Sequence, residues 1–367
     1  MSDPDLLAWL RPELASLRAY KPHPIQPGTD RVVHLDANES PWPMPAEARA
    51  AIGERLSELA LHRYPDARAS RLRELVALRV PADPDEIVFG AGSDECIVML
   101  ATAMARPHAQ TGHAALLAPE PSFVMFRHTA LSHGLSFVGV PLDASFDLDL
   151  DATLAAIERH RPALLFFASP NNPTARLFSD DKLRRILEAA QESLVVIDEA
   201  YAPFARRTYV EWRRDYANLA IMQTLSKVGL AGIRCGWIVL PRAIADAIEK
   251  VRSPYNLSSL AQTVAELALG DLRPHLDATV TRIIDERERL AARLTAIGLA
   301  VRPSDANFLW VHVPARAAEL HRHLASRGVL VRAFGSASGP AGEHVRITVG
   351  TPGENDVLLD ALADWRP

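Results

Sequence analysis

Between Asp85 and Leu240, short apolar runs alternate with amphipathic stretches, and this alternation constrains the fold more than any other feature of the chain. The runs are EIVFG (86–90), AALLA (114–118), ALLFFA (163–168), LVVID (194–198), LAIMQT (219–224) and GWIVL (236–240). Between several of them lie the helical patterns DECIVMLATAMA (94–105), DATLAAIERH (151–160) and DDKLRRILEAA (180–190). Strands that are apolar throughout, separated by helices, predict an α/β fold built on a mainly parallel sheet covered on both faces. In such a sheet a ligand sits at the carboxyl ends of the strands. The residues just after each run are therefore the first place to look for chemistry.

Beyond Pro241 the character changes. Two helical patterns follow, PRAIADAIEKVR and the long LRPHLDATVTRIIDERERLAARLTAIG, whose apolar positions recur at helical spacing. Short strands come next, around FLWVHV (308–313), VLVRAF (329–334) and HVRITVG (344–350), with the helix AAELHRHLASRG between the first two. This reads as a smaller α+β domain. The expected division is an N-terminal arm over 1–34, a large domain over 35–250 and a small C-terminal domain over 251–367. The Pro-rich opening (Pro12, Pro22, Pro24, Pro27) predicts an extended arm, because proline restricts both itself and the residue before it.

Composition narrows the function classes. With 48% hydrophobic and 23% charged residues, the 367-residue chain can bury cores for two domains. A net charge of −5 gives no broad attraction to nucleic acid or to an anionic membrane, so a bound phosphate needs a local site. Cys96 and Cys235 are too few for a disulfide framework, and neither Cys nor His shows metal-ligand spacing, so no metal is expected. The opening MSDPDLLAWLRPEL lacks the pattern of a secretory signal, and no apolar run is long enough to cross a bilayer. The expected setting is cytoplasmic.

Four segments at strand ends carry the chemistry. In TLSKVGLAGIRCG (224–236), Lys227 follows a strand, with Ser226 before it and Arg234 after it. A lysine there can present its amine to a carbonyl, while hydroxyl and guanidinium groups hold a phosphate. Alone, the same residues fit an ordinary surface loop. VVIDEAY ends a strand on Asp198, with Tyr201 just beyond. A carboxylate buried there needs a cation, such as a protonated ring nitrogen, although helix capping would also place an Asp at this point. SPNNPTA (169–175) follows ALLFFA, and the Asn172 amide can donate to a ligand oxygen. GAGSDE (90–95) joins a strand to a helix starting near Ser93, where small residues let backbone amides approach an anion.

Taken together and in order, these segments resemble the fold-type-I, pyridoxal-phosphate (PLP) dependent aminotransferases, and most closely the histidinol-phosphate aminotransferase family. LDANESPWPMP (35–45), RYP (63–65), GAGSDE, PSFVMF (121–126), SPNNPT, DEAY, TLSK, LAGIRCG and VRITVGTPGEN (345–355) match that family's signatures, from Leu35 to Asn355. The resemblance implies PLP held by Lys227 as a Schiff base, Asp198 paired with the pyridine nitrogen, and Tyr201 and Asn172 bonded to the ring oxygen. It implies Phe123 stacked on the ring where the family usually carries Tyr. The phosphate would be held by Ser226, Arg234 and the amides around Gly92, Ser93 and Asp94, with Tyr64 reaching it from the neighbouring subunit of a homodimer. On the substrate side it points to Arg346 as the anion-binding arginine, with Arg332, Tyr20 and Asn38 near it. The implied reaction converts L-histidinol phosphate and 2-oxoglutarate to imidazole acetol phosphate and glutamate.

Three departures from the family pattern stand out: Ala175 where Gly is usual, a loop after Lys227 that is one residue shorter, and Pro352 where many relatives carry Arg. Aromatic amino-acid aminotransferases and threonine-phosphate decarboxylases share the same anchors and remain alternatives. A PLP-binding transcriptional regulator is disfavoured, since it needs a DNA-binding module ahead of Leu35 and the overall charge is acidic.

Overall fold

The apolar runs are buried on both faces because each strand feeds two cores. In the computed structural model, which describes residues 32–334 and 340–365 together with residues 11, 14 and 17, Leu164, Phe166 and Ala168 enter one core and Leu165 and Phe167 the other. The same division places Val196 and Met222 on the first side and Ile197 and Ile221 on the second. A period-2 strand between two helical layers needs apolar side chains at every position, which is why no polar alternation is seen. Each phenylalanine buried here stabilises the fold by about 1.5–3 kcal/mol.

In chain order the strands are β1 (Val33–His34), β2 (Ile87–Gly90), β3 (Ala115–Glu120), β4 (Ser136–Pro141), β5 (Leu164–Ala168), β6 (Leu194–Asp198), β7 (Leu219–Thr224), β8 (Gly236–Val239), β9 (Ala300–Arg302), β10 (Phe308–His312), β11 (Val329–Leu330), β12 (Arg332–Ala333) and β13 (His344–Thr348). The large sheet has the order β2-β8-β7-β6-β5-β3-β4. Strands β4, β3, β5, β6 and β7 are parallel, and β8 runs antiparallel to both β7 and β2. Two reversals leave β2 parallel to β7. The ends of β2, β3, β5, β6 and β7 therefore open onto one rim, with Gly236 of β8 opposite both Gly90 and Thr224.

Strand β4 was not foreseen. It lies at the sheet edge with most positions partly or fully exposed, and so lacks a continuous apolar run. The expected strand over 329–334 divides at Val331: β11 pairs with β1, whereas β12 joins the small sheet β12-β13-β10-β9. The helices Ala46–Ser57, Ser70–Ala77 and Ser259–Leu269 are further additions.

Helix Ser259–Leu269 packs Ala261, Val264, Ala265 and Ala268 into the core that holds Ile87, Phe89 and Trp237 of the large sheet. The following helix, Arg273–Ala296, gives Leu276, Val280 and Ile283 to that core and Leu290 and Leu294 to the core under the small sheet. The chain thus passes from one core to the other within this helix. Tyr20 and most of the 1–34 arm lie outside the described residues.

Candidate active site

The rim of the large sheet and strands β12 and β13 enclose a pocket lined by Asn38, Ser93, Asp94, Phe123, Asn172, Asp198, Tyr201, Ser226, Lys227, Arg234, Arg332 and Arg346, among others. Twelve of the fifteen residues expected from the sequence meet here. Gly92 lies immediately behind them as the N-cap of helix Ser93–Ala103. Tyr64 does not join this pocket: it is 80% exposed and stacks on Tyr255, ring centroids 4.5 Å apart. Tyr20 is the one expected site residue outside the described part.

Asp198 closes β6 and is buried. One carboxylate oxygen accepts from the Ala200 N–H at 3.0 Å. Burial pushes its carboxyl up to about 7, with the charges of Asp94 and Glu199 adding to the rise and the Ala200 N–H and Lys227 opposing it. A carboxylate in this state gains from any cation brought into the pocket. Lys227 reaches the same space from the turn after β7, its Nζ 5.9 Å from the centre of the Tyr201 ring. That turn is Ser226–Leu230, opened by Gly229 at φ 107°.

The anion cradle is built by close backbone approach. Gly92 has φ 82°, and a Cβ there would collide with the Arg234 guanidinium. A Cβ on Gly236 would strike the Ser93 backbone nitrogen. Glycine at both positions lets the helix N-terminus, Arg234 and Ser226 converge. Arg234 Nη1 donates to Ser226 Oγ at 3.3 Å, and its Nη2 pairs with Asp94 at 2.9 Å. Thr224, not singled out from the sequence, donates to Ser226 Oγ at 2.9 Å. Its place between the strand and Ser226 was the available clue.

Opposite the cradle, the register sets Arg332 of β12 directly beside Arg346 of β13. Arg346 is buried and donates to Asn172 Oδ1 at 2.7 Å and to the Asp36 carbonyl. A guanidinium only donates, so the Asn172 oxygen must face it and the amide NH₂ is left to the pocket. Asn38 is also buried here, but its side chain is engaged with Tyr201 and Thr348.

Two of the departures from the family pattern, Ala175 and Pro352, fall outside the pocket lining, whereas the shortened loop joins Lys227 to Arg234, both of which line it. Ala175 is buried at φ 66°, with its carbonyl accepting from the Asp305 N–H at 2.7 Å. Pro352 opens helix Pro352–Ala361, where Thr351 and Glu354 form a capping box. Proline suits that first turn, since its missing N–H would have no helical partner.

The donor set fits pyridoxal phosphate part by part: an amine for its carbonyl carbon, a buried carboxylate for its ring nitrogen, a phenol and an amide for its ring oxygen, and a guanidinium, a hydroxyl and a helix N-terminus for its phosphate.

Comparison with known proteins places this arrangement. Residues 30–362 match the family described as "Aminotransferase class I and II". The histidinol-phosphate aminotransferase 1 of Burkholderia lata is 45% identical over 339 residues, 92% of this chain and 93% of that protein. The histidinol-phosphate aminotransferase of Chromobacterium violaceum is 42% identical over 359 residues, 96% of each chain. Among solved structures, histidinol-phosphate aminotransferase from Sinorhizobium meliloti in complex with pyridoxal-5'-phosphate superposes with a TM-score of 0.85 at 25% identity, covering 96% of both chains. This chain belongs to the class I and II aminotransferases and, within them, to the histidinol-phosphate aminotransferase family.

Proposed function

We propose that this protein is a cytoplasmic, pyridoxal-phosphate-dependent histidinol-phosphate aminotransferase, moving the amino group of L-histidinol phosphate to 2-oxoglutarate. The observation that carries this reading is the single pocket in which Lys227 and Asp198 stand between a phosphate cradle and a pair of arginines. When bound, the cofactor supplies a carbonyl carbon that condenses with amines and a ring that takes up the electron pair left by a broken Cα–H bond.

Lys227 is the residue whose amine would hold that carbonyl carbon, and when not so engaged it would stand as a free amine in the pocket that receives the substrate. As a free amine it would serve as the general base and acid that moves the Cα proton. Asp198 keeps the ring nitrogen protonated, and that cation offsets the carboxylate's own burial. The Tyr201 hydroxyl and the Asn172 NH₂ would hold the ring oxygen, and Phe123 would pack against the ring. Ser226, Arg234 and the amides of Ser93 and Asp94 grip the cofactor phosphate. Arg346 and Arg332 bind the anionic end of the substrate, and two guanidinium groups suit a phosphate dianion or a carboxylate.

The same reading makes the protein a homodimer in which Tyr64 of one copy reaches the cofactor phosphate of the other. Its exposure beside Leu61, which is 70% exposed, supports this assignment, because large apolar side chains left in solvent favour a covering surface. The test is to supply L-histidinol phosphate with 2-oxoglutarate and measure glutamate. Glutamate formed in step with donor loss is expected, whereas carbon dioxide released without glutamate from a phosphorylated amino acid would assign a lyase instead.

A further inference from the structure

Asn38 is 1% exposed and sits at φ 55°, a left-handed conformation that asparagine tolerates well. Its backbone is held on both sides: the N–H donates to Thr348 Oγ at 3.0 Å, and the carbonyl accepts from Asn307 Nδ2 at 3.0 Å. Its side-chain oxygen accepts from the Thr348 hydroxyl at 3.1 Å, and Nδ2 donates to the Tyr201 hydroxyl at 2.9 Å.

The orientation of this amide follows from Thr348, which is 3% exposed. Among the described residues, Asn38 Oδ1 is the only acceptor its hydroxyl hydrogen meets. Turned the other way, the amide would present NH₂ to Thr348 and leave a buried hydroxyl hydrogen without an acceptor. The amide oxygen therefore faces Thr348 and the NH₂ faces Tyr201. The Tyr201 oxygen is an acceptor in this contact, so its own hydrogen must point elsewhere. The phenol borders the pocket beside Asn172, Asp198 and Lys227.

We propose that Asn38 is a positioning residue, which by donating to the Tyr201 oxygen commits the phenol hydrogen to the pocket, where the ring oxygen of the cofactor accepts it. This rests on the cofactor reading above and moves Asn38 from the substrate side to the cofactor side. Thr348 lies two residues from Arg346 on β13, on the same face of the strand. The strand that carries the substrate arginine thus also sets the Asn38 amide.

Asn38→Gly removes the amide while keeping the left-handed backbone accessible. The pH titration of the visible absorbance of the PLP-bound protein reads the effect. The midpoint is expected to move up by roughly 0.5–1 pH unit, a three- to ten-fold change in proton affinity, because the ring oxygen loses an oriented donor. Thr348→Val should move it the same way by less. Tyr201→Phe should shift the midpoint by itself, and Asn38→Gly added to it should produce no further change. A purely structural Asn38 would lower thermal stability and leave the midpoint in place. An unmoved midpoint with PLP retained, or a further shift in the Tyr201→Phe background, overturns the proposal alone. If the unsubstituted protein shows no visible band with PLP, both this proposal and the cofactor reading fall.

Discussion

Replacing Asp198 by Asn should separate stability from function. The carboxyl is 4% exposed, and burial moves its ionisation from 3.8 to about 7. In the cofactor-free protein the folded state keeps a proton that the unfolded chain gives up, so this group's stability is fully present below about pH 4 and is lost as pH rises toward 7. Each pH unit in that window removes about 1.4 kcal/mol, so the whole loss is about 4 kcal/mol. The amide variant has no proton to release and escapes the penalty. Glu199, also pushed up to about 7 by burial, gives a slope of the same sign in both proteins. It largely cancels from their difference. Urea unfolding of the cofactor-free proteins at pH 5 and pH 8 measures the effect. The stability of Asp198→Asn relative to the parent should rise by about 3 kcal/mol between the two pH values. Yet the same variant, loaded with PLP, should lose most of its turnover, since no anion keeps the ring nitrogen protonated. A stability difference that is equal at both pH values would mean that Asp198 does not hold its proton in the folded, cofactor-free protein.

Two further substitutions test the anion sites. Arg346→Gln removes a buried charge that also holds Asn172 and the Asp36 carbonyl, and should lower kcat/KM for the phosphorylated donor by about 10²–10³-fold. A steady-state change below about threefold would count against its role. Arg234→Ala should weaken PLP binding by about 10–100-fold in an absorbance titration, the value of a charged hydrogen bond to phosphate. An unchanged Kd would place the phosphate elsewhere.

The strand ends were readable because β5, β6 and β7 are buried on both faces, and two-sided burial leaves a continuous apolar run. Asp198 and Lys227 could therefore be located from the runs they follow. The edge strand β4 carries no such run, and the division of 329–334 depends on which distant strand each half meets. The same limit applies within the site. That Arg332 faces Arg346 is a matter of cross-strand register, and that Asn38 meets Tyr201 is a contact between residues 163 positions apart. Local sequence carries neither relation. The Asn172 side chain is intermediate: its loop was legible, but the direction of its amide is decided by Arg346.

A half-reaction tests the Lys227 chemistry and the donor assignment together. The PLP-bound protein is mixed with L-histidinol phosphate, and separately with phenylalanine, without a keto acid, and the visible absorbance is followed. The band should be lost at least about tenfold faster with histidinol phosphate, and Lys227→Ala should show neither the band nor the reaction. Equal rates with phenylalanine would contradict the substrate assignment, and a Lys227→Ala protein that keeps both band and reaction would contradict the mechanism.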